Sequence, residues 1–335
     1  MSNMESIFKM SGVNRLVNIS LLERGLQLLG AFTAASTVFK VVSLARLYLS
    51  PSSLSLNRWK HGNPYALVTG ATDGIGWGIV DALAARGFSI ILHGRDRNKL
   101  EDRRAILQEQ YPSLKTEILV FDVLKDPYDN IEELVSGISH LNVTILVNNV
   151  GGIPFMPGYI TLAEHDSSRI DHVIDMNARF LAHFTRYMMP ILSRNGPSLI
   201  MNIGSAAEFG LPCATVYSGA KGFVLSFSEA LARECKISKT PVDVLNINLG
   251  DVSTKQTPTP VRFANPLAKD FGRDVVGRVG AAVASDRNTV TPHIPHAIFL
   301  GVLKPLPEFV KVAFLRNMIQ DAQALHRKVF NLKEE

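Results

Sequence analysis

Between residues 64 and about 290 the chain alternates short apolar runs with longer stretches whose apolar positions recur three and four residues apart. The runs at 66–69, 89–92, 117–121, 143–147, 198–203 and 242–247 have strand length and hold few charges. A strand that reads as continuously apolar is buried on both faces, which is the mark of a parallel sheet covered by helices. The intervening stretches at 75–86, 99–109, 131–138, 170–192 and 218–234 have the helical period that supplies those covers. Alternation of this kind predicts an α/β fold: a doubly wound, Rossmann-type, mostly parallel sheet with helices on both faces.

Outside that zone the pattern changes, and three parts are expected. Residues 1–62 hold an apolar, membrane-associating stretch and then the linker Ser50-Pro51-Ser52-Ser53; residues 63–290 form the central domain; residues 291–335 form a tail of apolar and basic positions. The uncharged run from Gly25 to Phe39 is 15 residues, short of the ~20 a spanning helix needs. Snorkelling by Lys40 extends it, so spanning the membrane and lying on it both stay open. Arg15 and Arg24 precede the run, whereas Lys40, Arg46, Arg58 and Lys60 follow it, a bias that puts the central domain on the cytosolic side. From Phe309 to Ile319 apolar residues surround Lys311 and Arg316, which fits a membrane-surface helix or one packed on the domain. The helical stretch at 268–283 is expected to cover a substrate.

Composition narrows the class. Hydrophobic residues make up 46 % and charged ones 19 %, which excludes a disordered chain. The net charge of +5 is scattered along the sequence, so nucleic acid is not an expected partner. Cys213 and Cys235 are too few for a disulfide framework or a four-ligand zinc site, and no metal centre is expected.

The candidate chemistry sits where strands hand over to helices. Thr69-Gly70-Ala71-Thr72-Asp73-Gly74-Ile75-Gly76 joins the first strand to the first helix. Glycines there allow a sharp turn and close approach of a pyrophosphate, whose charge meets the helix N-terminus. Gly70, Thr72, Asp73, Gly74, Ile75 and Gly76 are thus candidate cofactor contacts. An NAD-preferring site carries an acidic residue after the second strand; here Gly94-Arg95 stands in that place, and a guanidinium suits the extra phosphate of NADP(H). Asp122 and Val123 follow the third strand, and Asn149 follows the fourth, at the crevice positions of such a sheet.

Tyr217 and Lys221 lie one helical turn apart on one face. A phenol titrates near ~10, too high for efficient proton transfer at neutral pH, and a neighbouring ammonium lowers it. Ser205, after the fifth strand, is placed to hold a carbonyl oxygen against Tyr217. Asn177, within the long helical stretch, is expected to kink it and carry a water that links Lys221 to solvent.

Together, Thr69–Gly76, Asp122-Val123, Asn148–Gly151, Asn177, Ser205, Tyr217–Lys221 and Gly250-Asp251-Val252-Ser253-Thr254 resemble the short-chain dehydrogenase/reductase superfamily over residues 64 to about 255. The resemblance implies an Asn177-Ser205-Tyr217-Lys221 tetrad, further cofactor contacts at Val252 and Thr254, and hydride transfer between NADP(H) and a carbonyl or alcohol. A narrower likeness is to the very-long-chain 3-oxoacyl-CoA reductase and 17β-hydroxysteroid dehydrogenase group, which implies an endoplasmic reticulum membrane setting. The expected activity is reduction of a ketone on a lipophilic substrate: a 3-oxoacyl thioester, a steroid-like ketone or a polyketide-type ketone. A homodimer is a further expectation. The alternative is an NADP(H)-binding sensor or scaffold without turnover. Three departures bear on the substrate: Tyr217 follows Ser205 by 12 residues, one fewer than the family pattern, Leu249 replaces a proline, and Gly219 replaces an alanine.

Overall fold

The computed structural model describes residues 2–50 and 56–330, with side chains over 21–50 and 56–329. The linker positions from Pro51 to Ser53 lie outside the described residues. Two compact units divide at Ser50. The first is one helix, α1 (Ser2–Leu49). Its part Leu21–Leu49 is 29 residues long with a mean hydropathy of 1.6, and its most apolar window is unburied. At 1.5 Å per residue such a stretch runs about 44 Å, against a hydrocarbon core of about 30 Å. The helix continues through Lys40 and Arg46, so the short uncharged run belongs to an element long and apolar enough to cross a bilayer.

The second unit is built on seven strands: β1 (Tyr65–Thr69), β2 (Ser89–Gly94), β3 (Thr116–Val120), β4 (Val143–Asn148), β5 (Ser198–Ile203), β6 (Val242–Ile247) and β7 (Thr289–Val290). They form one parallel sheet in the order β3-β2-β1-β4-β5-β6-β7. Its helices are α2 (Gly74–Ala84), α3 (Arg97–Gln110), α4 (Asn130–Ser136), α5 (Ser167–Ile174), α6 (Phe180–Arg194), α7 (Thr215–Ser238), α8 (Ala268–Ala284), α9 (Ile294–Leu303) and α10 (Glu308–Phe330). Every residue of β1, β4 and β5 is buried, as helices on both faces require. Phe180, Phe184 and Met188 of α6 pack on Leu67, Ile91, Leu146 and Ile200 of the sheet. The chain winds outward from β1 to β3 and then returns to β4 beside β1. That reversal opens a crevice at the carboxyl ends of β1 and β4, where ligands of such sheets bind.

Three features differ from the sequence expectation. The helix expected over 170–192 is two helices, α5 and α6, joined by a π turn at Asp175–Arg179. Helix α8 does not cover a substrate. A Cβ on Gly78 of α2 would lie 2.2 Å from the Ala268 carbonyl oxygen, and one on Gly272 2.2 Å from the Gly78 carbonyl carbon. Backbones that close commit α8 to α2. The sheet unit also begins before residue 63: the wholly buried Trp59 donates its indole N–H to Asp243 at 3.0 Å, and Arg58 pairs with the same carboxylate at 2.8 Å. The tail takes one of the two arrangements expected for it and is packed on this unit. Leu315, Ile319 and His326 of α10 are buried, and Gln323 donates to the Tyr159 carbonyl at 2.9 Å.

Candidate active site

The turn after β1 is shaped by backbone crowding. Gly70 and Gly74 have φ of +64° and +55°, which side chains disfavour. Gly76 has no such φ, but a Cβ there would lie 2.2 Å from the Gly70 carbonyl oxygen and 2.6 Å from Asn149 Nδ2. Asp73 caps α2 by accepting from the Gly74 N–H at 2.8 Å. Asn149 donates to the carbonyls of Thr69 (2.9 Å) and Gly70 (3.2 Å). The Thr69 hydroxyl in turn accepts from the backbone N–H groups of Asn149 (2.8 Å) and Val150 (3.1 Å). The two strands that flank the switch point are thereby latched together. Thr69 was missed as a site residue, although a hydroxyl ending an apolar strand was the available signal. A Cβ-free floor at a helix N-terminus fits a pyrophosphate.

One cavity of about 1010 Å³ runs from this turn along the carboxyl ends of the strands. All the expected site residues line it except Gly76 and Asn177, which stand behind its wall. At one end the exposed Arg95 adjoins Asp96, Lys99 and Asp122. Asp122 uses Oδ1 to accept from the Leu124 N–H at 3.1 Å. His93, also on the wall, was not expected. Both its ring nitrogens are buried without a hydrogen-bond partner, its ring stacks on Phe180 at 5.3 Å, and burial lowers its pKa to about 4, so it is neutral.

The residues expected to serve as acid and base meet along this cavity. Ser205 ends β5's run and caps the short turn Ala206–Phe209, its Oγ accepting from the Ala207 N–H at 3.1 Å. Helix α7 carries Tyr217 and, one turn on, Lys221, whose Nζ lies 5.7 Å from the Tyr217 ring centre. Lys221 is buried and donates to the Ile203 carbonyl at 2.8 Å; burial pushes its pKa down to about 8. The Tyr217 phenol is not lowered in the protein alone. Burial raises it, a hydrogen bond with Ser205 opposes that, and the Asp251 charge adds to the rise.

Asn177 sits in the π turn, buried, where the expected water carrier is held by protein partners. Its Oδ1 accepts from the Gly152 N–H (2.8 Å) and its Nδ2 donates to the carbonyls of Gly152 (2.8 Å) and Val173 (2.9 Å). A π turn shifts the helix ladder by one residue and strands a carbonyl, which the side-chain amide takes up. Asn177 Oδ1 and Lys221 Nζ converge on Gly151, where a Cβ would lie 2.8 and 3.0 Å from them.

Beyond Tyr217 the wall turns apolar. Pro154, Phe155, Met156, Phe209 and Leu211 line it from the loops, and Pro295, Phe299 and Met318 from α9 and α10. Tyr159 and His326, ring centres 5.0 Å apart, close this end near Asp251. Burial, then Asp251 and Tyr217, push the Tyr159 phenol up. In the sequence nothing linked residues 295–326 to the site, because the contact is made only when the tail folds back.

A family model described as short chain dehydrogenase matches residues 64–261. A very-long-chain 3-oxoacyl-CoA reductase from Pyricularia oryzae is 30 % identical over 263 residues, 77 % of this chain and 78 % of that protein. One from Anas platyrhynchos is 30 % identical over 270 residues, 77 % of this chain and 84 % of that protein. A short chain dehydrogenase from Shigella flexneri, solved in complex with NADP, superposes with a TM-score of 0.62 at 19 % identity, over 70 % of this chain and 99 % of that one. On its matched segment, its sheet order and its glycine turn, the chain belongs to the short chain dehydrogenase family and is an oxidoreductase.

Proposed function

We propose that the protein reduces the ketone of long-chain 3-oxoacyl-CoA thioesters with NADPH, anchored to the endoplasmic reticulum membrane with its catalytic unit on the cytosolic side. One observation carries this reading: the Ser205–Tyr217 pair stands where the glycine-floored half of the cavity runs into its apolar half. The names of the relatives from Pyricularia oryzae and Anas platyrhynchos support the acyl thioester. Helix α1 supports the anchor, and Arg95 supports the phosphorylated cofactor.

The glycine turn and the N-terminus of α2 would hold the pyrophosphate, Arg95 the ribose phosphate, and Lys221 the ribose beside the nicotinamide. The nicotinamide supplies the hydride when bound. Tyr217 donates its proton to the oxygen of the developing alkoxide, and Ser205 holds that same oxygen in place. Lys221, fixed by the Ile203 carbonyl, puts a positive charge under the phenol and favours its ionised form. Asn177 positions Lys221 by pinning Gly151-Gly152 between them. Binding without turnover would leave the Ser205–Tyr217 pair at the cavity wall without a role.

NADPH oxidation in the presence of 3-oxoacyl-CoAs of graded length is the test. Tyr217→Phe is expected to slow turnover by roughly 10²–10⁴ with NADPH affinity little changed; undiminished turnover would sink the assignment. Arg95→Ala should raise KM for NADPH about tenfold and leave KM for NADH nearly untouched. Equal effects on the two would refute the choice of cofactor.

A further inference from the structure

Helices α9 and α10 each have two working faces. Their inner faces place Pro295, Phe299 and Met318 on the apolar end of the cavity, while His296, Leu300 and Leu303 bury α9 against the sheet unit. Their outer faces are apolar and open. On α9, Ile294, Ile298 and Val302 recur four residues apart, with Ile298 60 % and Val302 61 % exposed; on α10, Phe309 is 77 % exposed and Val312 and Phe314 are also open. A stripe at helical spacing is a designed face and not scattered surface apolarity. Basic side chains border it: Lys304, Lys311 and Arg316, against the two carboxylates Glu208 and Glu308 that pair with Lys304 (3.4 Å) and Lys311 (3.7 Å), which leaves a net positive rim. That sign suits anionic lipid headgroups.

The two faces are one aromatic layer apart. Phe299 lines the cavity, Phe314 lies on the outer face, and their ring centres are 5.7 Å apart. The same chain carries a helix of bilayer-spanning length that ends at Leu49, and residue 57 is already part of the sheet unit. The residues between can reach no further than roughly 30 Å, so an anchored α1 keeps the catalytic unit at a membrane surface.

We propose that the outer face of α9 and α10 beds in the lipid bilayer, and that the fatty acyl chain of the substrate passes from the membrane into the cavity beside the Phe299–Phe314 pair. The site reading above supplies the acyl substrate; the membrane contact is a separate claim with its own measurement. The acyl chain then never crosses water, and only the polar head of the thioester approaches from the aqueous side.

The test uses the full chain in phosphatidylcholine vesicles containing phosphatidylserine, with or without bromine on the acyl chains. Ile298→Trp and Phe309→Trp should lose fluorescence to the brominated lipid about twofold or more beyond the parent chain with Trp59 and Trp77. Ile237→Trp, on the open surface of α7, should match the parent. Equal quenching at all three positions overturns the proposal, as does a signal at 298 and 309 that follows protein concentration and ignores bromine, which would mark contact with a second copy. A second readout addresses the route. Ile298→Asp/Val302→Asp should raise KM for a vesicle-borne 3-oxooctadecanoyl-CoA about tenfold and leave that for 3-oxobutanoyl-CoA unchanged. An equal rise for both would overturn passage from the membrane. If neither thioester is turned over by the parent chain, it is the catalytic reading that fails, and the quenching alone decides the surface.

Discussion

Lys221 keeps an ammonium group among buried neighbours and one carbonyl, and that cost is measurable. Its pKa falls from 10.5 to about 8, so between those values the unfolded chain binds more protons than the folded one. Stability therefore rises with pH across roughly 8 to 10.5, and the penalty of burying the charge is fully present below 8. The unfolding free energy of the cofactor-free protein minus that of Lys221→Met should climb by on the order of 3 kcal/mol across this window, as read by urea melts. A flat difference would show that burial does not neutralise Lys221. Gly76 is the other residue where local physics is decisive. In Gly76→Ala the new methyl meets the Gly70 carbonyl oxygen and the Asn149 amide, both parts of the latch between β1 and β4. NADPH affinity should fall about 100-fold, followed by Trp77 fluorescence beside the turn.

Helix pairs show why similar glycines have different value. Gly78 and Gly272 bring α2 and α8 into backbone contact, whereas Gly219 on α7 faces open space within 4 Å. Gly272→Ala should cost about 2 kcal/mol or more by overpacking. Gly219→Ala should stabilise by about 0.5–1 kcal/mol, since only helix propensity changes there. Chemical denaturation of the two variants gives opposite signs if the geometry is right. The π turn between α5 and α6 works at the same scale: it carries Asn177 out of the regular ladder so that its amide pins the loop beside Lys221. The corner between α9 and α10 is tied to the loop after β5 through Lys304 and the buried Glu208, 3.4 Å apart.

For the whole molecule, helix α1 and the open face of α9 and α10 make membrane attachment the property to test. Removing residues 1–49 takes away the one helix of spanning length among the described residues, and the protein should leave the membrane pellet in large part. If α9 and α10 also bed in lipid, a fraction should remain bound at low salt and be released at high salt, because headgroup attraction is screened. Sedimentation with vesicles at two ionic strengths separates the two contributions. Release that is complete and independent of salt would leave α1 as the sole attachment.

The sheet was legible because each strand is a local apolar run and each helix a local period, and both follow from burial on two faces. β5 and β6 fall at the residues where the sequence placed them, β1 to β4 within a residue or two at one or both ends, and the two-residue β7 was not expected. That the glycine turn, Arg95, Ser205, Tyr217 and Lys221 would share one cavity was legible for a related reason: they are set by residue type at fixed offsets from the strand ends. Tertiary structure alone decided the rest. The π turn at Asp175–Arg179 has no hydrophobic period of its own, and α8 was misjudged as a cover because its partner Gly78 lies far away in sequence. The covering role of α9 and α10 depends on the tail folding back over the cavity. The direction of the Tyr217 pKa is likewise tertiary: a lysine one turn away suggests a lowered phenol, but burial and Asp251 raise it, because desolvation reflects all the surroundings and sequence spacing reports one neighbour.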